Sequence, residues 1–190
     1  MKANDLFEDA KRLFVEGKLR DSIWAFTRAA DAGYDQEISY LSRGAAYLKL
    51  RDADEAIRDF SYVITLDREN ARAYYYRGMA HAQKKDFAGA AEDFTKAVEL
   101  KPDEGAFLFA RGASYMELGK NDEAGEDFRN ATNYLEATVQ GYADTIGDRT
   151  HLHKILAILE GERRREMLAL DESEYEAIKA MLEEAVEAEV

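Results

Sequence analysis

The chain has 190 residues and a formal net charge of −13, with 31 alanines, one proline and no cysteine. Alanine is the strongest helix former and proline the weakest, so the composition favours an all-helical protein. The lack of cysteine excludes disulfides, thiolate metal sites and a cysteine nucleophile. No apolar run approaches the roughly 18 residues of a membrane span, and the first residues lack a signal peptide's apolar segment, so we expect a cytoplasmic protein.

An internal repeat of 34 residues organises the chain. Gly44, Gly78 and Gly112 are each 34 residues apart. Each is followed at fixed distances by an alanine and by an Asp-Phe pair: Ala56, Ala90 and Ala124, then Asp59-Phe60, Asp93-Phe94 and Asp127-Phe128. A weaker first copy has Ala10 in the glycine column and Phe26 in the phenylalanine column. The period predicts four repeats, over residues 3–36, 37–70, 71–104 and 105–138.

Each repeat is predicted to form two antiparallel helices. The turns, such as Glu16-Gly17-Lys18, are too short for any other connection. Asp52, Asp86 and Asn121 are predicted N-caps of the second helices of the last three repeats. The glycine on each first helix is expected to face the alanine on the second, which lets the two backbones approach closely.

An arginine and an aspartate recur together. Arginine stands at 43, 77 and 111 and aspartate at 59, 93 and 127, whereas the first repeat has Asp9 and Ala25 in these columns. Joint presence and joint absence predict an ion pair between stacked helices, and a two-bond Arg–Asp contact would fix their register. A shared ancestral repeat with separately exposed side chains is the alternative.

These columns resemble the tetratricopeptide repeat family. The third repeat fits that family's pattern at six positions: Tyr74, Gly78, Ala90, Phe94, Ala97 and Pro102. His81 stands where the family usually has tyrosine, and Pro102 is the only closing proline present. The resemblance implies a right-handed α-solenoid of antiparallel helix pairs, whose first helices line a concave groove that holds a peptide or a partner's helix.

The resemblance also implies which residues line that groove. They belong to the first helices and are mostly apolar: Phe7, Lys11, Phe14, Leu41, Leu48, Tyr75, Met79, Phe109 and Met116. Such a surface suits an amphipathic helix or peptide of another protein. The alternative is that these side chains are core. If Tyr75 is an accessible anchor, Tyr75→Glu should abolish partner capture without loss of helicity.

One subtype of the family is not expected. The carboxylate clamp, which grips chaperone C-terminal tails, needs lysine, arginine and asparagine at five groove positions. This chain has Phe7, Lys11, Ser42, Arg72 and Tyr76 at those positions. Only two basic groups remain, so the resemblance does not extend to the clamp.

The period fails after the fourth repeat. Residues 139–149 are predicted to be a connection, and residues 150–190 two amphipathic helices that cap the array or mediate interaction. The last twenty residues carry eight acidic groups and one basic group. The final helix, over 173–188, either caps the stack, occupies the groove of its own chain or pairs with a second copy. The acidic balance disfavours nucleic acid as a partner.

Catalytic and metal-binding patterns are sparse. His151 and His153 could share a metal only if that stretch were extended, because residues two apart lie on different faces of a helix. The sequence contains no phosphate-binding loop, no Gly-x-Ser-x-Gly turn and no His-Glu-x-x-His pair. We therefore expect a non-enzymatic adaptor without a cofactor. The alternative is a scaffold that self-associates through residues 150–190.

Overall fold

The computed structural model describes residues 2–131 and, beyond them, only Glu176 and Ala180. Residues 2–131 form eight helices and no strand, so the all-helical fold is confirmed for this part of the chain. In chain order they are α1 (Ala3–Val15), α2 (Leu19–Asp31), α3 (Gln36–Lys49), α4 (Ala53–Leu66), α5 (Ala71–Gln83), α6 (Phe87–Leu100), α7 (Gly105–Glu117) and α8 (Asn121–Ala131). The predicted connection (139–149) and C-terminal helices (150–190) lie outside the described residues. The number of repeats stays a prediction, since the fourth frame runs to residue 138.

Two of the three predicted caps are confirmed. The Asp52 carboxylate accepts a hydrogen bond from the Glu55 amide (3.5 Å), and the Asp86 carboxylate accepts one from the Gly89 amide (3.1 Å). The prediction for Asn121 is wrong, because α8 already begins at that residue. The residue 34 positions after Asp86 is Lys120, whose carbonyl accepts the first backbone bond of α8. A lysine side chain has no acceptor atom with which to cap a helix.

The helices stack in chain order, each against the next. In addition α3 contacts α5 and α5 contacts α7, so the odd-numbered helices follow one another along one side of the stack. We call this side the inner layer. Helix α1, in contrast, packs chiefly against α2. The buried apolar residues divide accordingly: α1 and α2 form a cluster of their own around Phe7 and Phe26, whereas the largest cluster runs from α3 to α8.

The recurring glycine lets a phenylalanine ring lie against the backbone of the first helix of each pair. A Cβ added to Gly44 would lie 2.6 Å from Cε1 of Phe60, and one added to Gly78 would lie 2.7 Å from Cε1 of Phe94. The sequence predicted that the glycine faces the repeated alanine, but the nearest atoms belong to the phenylalanine four residues later. The small residue is therefore required by the ring, which is itself completely buried.

The pair α3–α4 also carries an arginine–aspartate contact, as predicted. Nε and Nη2 of Arg43 donate to the two carboxylate oxygens of Asp59 at 2.8 and 2.7 Å, and Nη1 donates to the hydroxyl of Thr27 on α2 at 2.9 Å. One guanidinium therefore joins three helices. We call this arrangement the arginine clasp. The same two-bond contact recurs in the next two helix pairs: Arg77 with Asp93 and Arg111 with Asp127, at 2.6–2.8 Å.

The clasp keeps a charged carboxylate inside the stack. The Asp59 side chain is only 5% exposed. Burial raises the pKa of Asp59 above the ordinary carboxyl value, and the hydrogen bonds from Arg43 oppose that rise. Burial acts on the pKa of Asp127 in the same direction, and Arg111 opposes it. The arginine is therefore what allows the carboxylate to remain ionised where water is excluded.

The close approach at Gly44 predicts an unusual response to alanine. An interior helical Gly→Ala change ordinarily stabilises a helix by about 0.8–1.0 kcal/mol. At Gly44 the new methyl group would meet Phe60 at 2.6 Å, whereas at Gly112 it would meet Phe128 at 3.0 Å. We expect Gly44→Ala to lower the free energy of unfolding by about 1–3 kcal/mol, and Gly112→Ala to lower it less. Urea denaturation measures both, and stabilisation by Gly44→Ala would contradict the close packing.

Removal of the clasp arginine should give a pH-dependent loss of stability. Arg43→Met leaves Asp59 buried without a partner, which costs about 3–5 kcal/mol. The folded-state pKa of Asp59 then rises further above its unfolded value. Protonation therefore favours the folded state, and the deficit against the parent protein should shrink as the pH falls from neutral through that raised pKa.

The matched control is Arg58→Met, which removes an exposed pair between Arg58 and Glu55 on α4. Exposed pairs contribute about 0–1 kcal/mol, so this loss should be small at every pH. Thermal denaturation across that pH range measures both variants. A deficit for Arg43→Met that is constant with pH would show that Asp59 is not the group whose charge is left uncompensated.

Candidate peptide-binding groove

The nine residues predicted to line the groove all lie on the odd-numbered helices, but the structure does not leave all of them accessible. Five are buried, and two of these, Met79 and Phe109, have no exposed surface. The buried five are Phe7, Leu48, Met79, Phe109 and Met116. Four of them belong to the continuous α3–α8 cluster, and Phe7 stacks on Tyr34 with ring centres 4.2 Å apart. These five side chains are therefore core in this structure and are not open anchors.

Tyr75 is half-buried and surrounded by other aromatic rings. Its ring centre lies 4.9 Å from that of Phe107, 5.4 Å from that of Tyr76 and 5.7 Å from that of Phe94. Burial raises the pKa of the Tyr75 phenol above its ordinary value of 10. A charge at this position would be as poorly solvated as a phenolate. Tyr75→Glu consequently disturbs the packing of the stack, so partner capture by this variant does not report on a binding surface alone.

An open apolar cavity of about 270 Å³ lies in the inner layer between α1 and α3. Phe26 of α2 also reaches this cavity, which therefore lies at the edge of the α1–α2 cluster. Its lining residues are Lys11, Phe14, Val15, Phe26, Ser42 and Ala45. Two features create the space: the α3 wall carries the small side chains of Ser42 and Ala45, and α1 packs on α2 more than on α3. We call this space the α1–α3 cavity.

Lys11 lines the α1–α3 cavity, and Lys49 lies against the ring of Phe14, another of its lining residues. Nζ of Lys11 lies 5.6 Å from the ring centre of Phe7 and pairs with the Glu8 carboxylate at 2.8 Å. Nζ of Lys49 lies 5.2 Å from the ring centre of Phe14. Within residues 2–131 no carboxylate lies at ion-pair distance from Lys49. The cavity therefore combines an apolar interior with two nearby lysines, of which Lys11 is already paired with Glu8.

Of the predicted groove residues, the structure brings Lys11 and Phe14 to this cavity, while Leu41 stays half-buried against the α3–α8 cluster. Val15, which lines the cavity, and Lys49 beside Phe14 are not among the residues predicted from the sequence. A signal for them exists in the 34-residue column that holds Val15, Lys49, Gln83 and Glu117. That column changes from apolar to basic, neutral and acidic along the stack, so the repeat does not fix its residue type.

A second open cavity, of about 340 Å³, lies between α6 and α7. It is lined by Ala88, Ala91, Glu92, Thr95, Tyr115, Leu118 and Lys120. Because α6 does not belong to the inner layer, this cavity does not lie between two inner-layer helices, as the α1–α3 cavity does. In the column of Ala91 the earlier repeats have Ile23 and Ile57, so the smaller side chain accounts for the space.

Within the described part of the chain, no group of three or more histidine, aspartate or glutamate side chains is placed to hold a metal ion. His81 bonds through Nδ1 to the Asp86 carboxylate at 2.8 Å. His151 and His153 lie outside the described residues. Among the helices that the structure describes, none has the length and apolar character needed to cross a membrane.

A family model of the tetratricopeptide repeat (TPR) matches residues 41–105 and 86–137. The chain belongs to the TPR family. A search of curated proteins gave no significant match.

Solved structures of TPR proteins share the fold of this chain. MamA (41-end) from Desulfovibrio magneticus RS-1 is 20% identical with a TM-score of 0.66, over 72% of this chain and 77% of that one. The first TPR of Spaghetti (RPAP3), bound to the HSP90 peptide SRMEEVD, is 25% identical with a TM-score of 0.59, over 62% and 96%. YrrB, a TPR protein with an unusual peptide-binding site, is 18% identical with a TM-score of 0.61, over 80% and 74%.

The difference between Tyr75 and Val15 can be measured with one substitution at each. Tyr75→Glu should lower the free energy of unfolding by about 3–5 kcal/mol, because it removes a packed aromatic ring and introduces a charge there. Val15 is 84% exposed, so Val15→Glu should change stability by no more than about 0.5 kcal/mol. Chemical denaturation followed by circular dichroism measures both. Equal stability of the two variants would show that Tyr75 is not part of the packed layer.

Proposed function

We propose that this TPR protein is a non-catalytic adaptor that binds a peptide segment or amphipathic helix of another protein in its inner-layer groove. The observation that carries the proposal is the α1–α3 cavity, an open apolar space between two helices of the layer that the family uses for partners. Two of the similar structures support it by their own binding properties: one holds a bound peptide and the other has a peptide-binding site.

The size of the cavity indicates what kind of group it accepts. Small-molecule sites usually enclose about 300–1,000 Å³ and surround most of the ligand, whereas this cavity has about 270 Å³ and is open on one side. It suits one or two apolar side chains that project from a larger partner. The rest of the partner would lie along α3, α5 and α7, where Leu41 and Tyr75 retain some exposure.

The proposal does not include chaperone tails held by a carboxylate clamp. Lys11 and Arg72 are exposed, but the other positions that a clamp requires hold Phe7, Ser42 and Tyr76. Phe7 is buried beneath Tyr34, and neither it nor Tyr76 has the basic group that the clamp needs at its position. Ser42 lacks the amide with which asparagine would bind a terminal carboxylate. We propose an apolar anchor as the basis of recognition.

Obstruction of the cavity tests this function. Peptides that bind the full-length protein are selected from a random display library, and their dissociation constants are measured by fluorescence anisotropy. Ala45→Trp places an indole inside the α1–α3 cavity and should weaken binding at least about tenfold, which corresponds to about 1.4 kcal/mol. The matched control, Ala88→Trp, obstructs the second cavity, where Ala88 is exposed, and should leave affinity unchanged.

Circular dichroism and thermal denaturation establish that both tryptophan variants remain folded. If the selected peptides lose affinity for Ala88→Trp and retain it for Ala45→Trp, the binding surface is the cavity between α6 and α7. Recovery of no binding peptide by selection would argue against the adaptor function itself.

A further inference from the structure

The positive charge at the α1–α3 cavity contrasts with the acidic character of the whole chain. The chain has 39 acidic and 26 basic residues, yet Lys11 lines this one apolar cavity and Lys49 lies against its Phe14. Lys11 pairs with the exposed Glu8, which a ligand carboxylate would have to replace. Lys49 lies beside Phe14 with no carboxylate of residues 2–131 at ion-pair distance. A ligand that supplies an apolar side chain followed by carboxylates would complement both properties.

The chain itself contains a segment with this composition. Its last twenty residues, 171–190, carry eight acidic groups and one basic group. Four apolar residues in this segment recur at the spacing of one helix face: Tyr175, Ile178, Leu182 and Ala185. The sequence therefore predicts an acidic amphipathic helix. Its apolar face would complement the lining of the cavity, and its carboxylates would complement the nearby lysines.

The intervening chain is long enough to connect the two. Residue 171 follows the end of α8 by 40 residues, which span about 60 Å even if they are entirely helical. Adjacent packed helices lie 8–10 Å apart, so the five steps from α8 through α7, α5, α3 and α2 to α1 amount to no more than about 50 Å. A tethered segment also acts at an effective concentration of about millimolar, so a weak intrinsic affinity is sufficient.

We propose that residues 171–190 bind the α1–α3 cavity of their own chain, with an apolar side chain inside it and carboxylates at Lys11 and Lys49. This inference rests on the proposed function, because it assigns an internal competitor to the same site. A partner would then have to displace the acidic segment, so its apparent affinity would be reduced by the fraction of molecules in which the cavity is occupied.

The lack of native cysteine allows a direct test in the full-length protein. Val15→Cys places a thiol at the cavity. It is combined with a second cysteine at one of four positions in residues 171–190, which we call the tail. The matched control is Trp24→Cys. Trp24 lies in the same repeat and is 62% exposed, but it does not line the cavity. The four tail positions are Tyr175, Ile178, Leu182 and Ala185. Because a disulfide requires Cα atoms about 4.4–6.8 Å apart, oxidation of dilute protein reports close approach.

At least one tail position should form an intramolecular disulfide with Val15→Cys at least about tenfold faster than with Trp24→Cys. Lys11→Glu with Lys49→Glu should abolish this preference by reversing the charge at the cavity. Equal rates for the two thiols, covalent dimers as the main product, or a preference that survives the charge reversal would each overturn the proposal. Dimers would indicate that the tail binds a second copy.

This experiment is independent of the test of the adaptor function. It uses no external peptide, so its failure would leave the comparison of Ala45→Trp with Ala88→Trp unaffected. If both proposals hold, cross-linking of the tail to Val15→Cys should also prevent the selected peptides from binding, and reduction of the disulfide should restore binding.

Discussion

The structure depends on how closely the two helices of each pair approach. A phenylalanine ring lies against the first helix where that helix has glycine, and an added Cβ at Gly44 or Gly78 would come within 2.6–2.7 Å of the ring. Because these rings are fully buried, the pair has one closely packed arrangement. The stack, the inner layer and the surfaces between its helices all follow from repeating that arrangement at a period of 34 residues.

The arginine clasp adds a directional constraint to this packing. Glycine and phenylalanine set how close two helices come, whereas the two hydrogen bonds between Arg43 and Asp59 set how far one slides along the other. The third bond, to Thr27, extends the constraint to the preceding pair. The first repeat has Asp9 and Ala25 in the two clasp columns and Ala10 in the glycine column. Both constraints on the pair α1–α2 are thus absent, and this pair forms a separate apolar cluster.

The sequence was sufficient to predict the helix pairs, the clasp and the family, because each depends on residues that recur at one spacing. It was not sufficient to predict which inner-layer residues are accessible. Phe14 and Met116 occupy the same column, yet Phe14 lines a cavity while Met116 is buried. Position in the repeat fixes the direction of a side chain, but exposure depends on the size of residues on neighbouring helices. Ser42 and Ala45 leave space beside α1, whereas the rings around Tyr75 fill the layer near α5.

The α1–α3 cavity adjoins α1, which belongs to the pair that lacks both constraints. Where α3, α5 and α7 contact one another, their facing side chains complete a continuous core, and a ligand would have to displace well-packed groups. Between α1 and α3 no such core has to be opened, because the space already exists. Segments with fewer tertiary contacts also open at lower free energy, so they adapt to a ligand more readily. The α1–α3 cavity is therefore open without rearrangement of the core, while the following pairs retain the packing that holds the stack together.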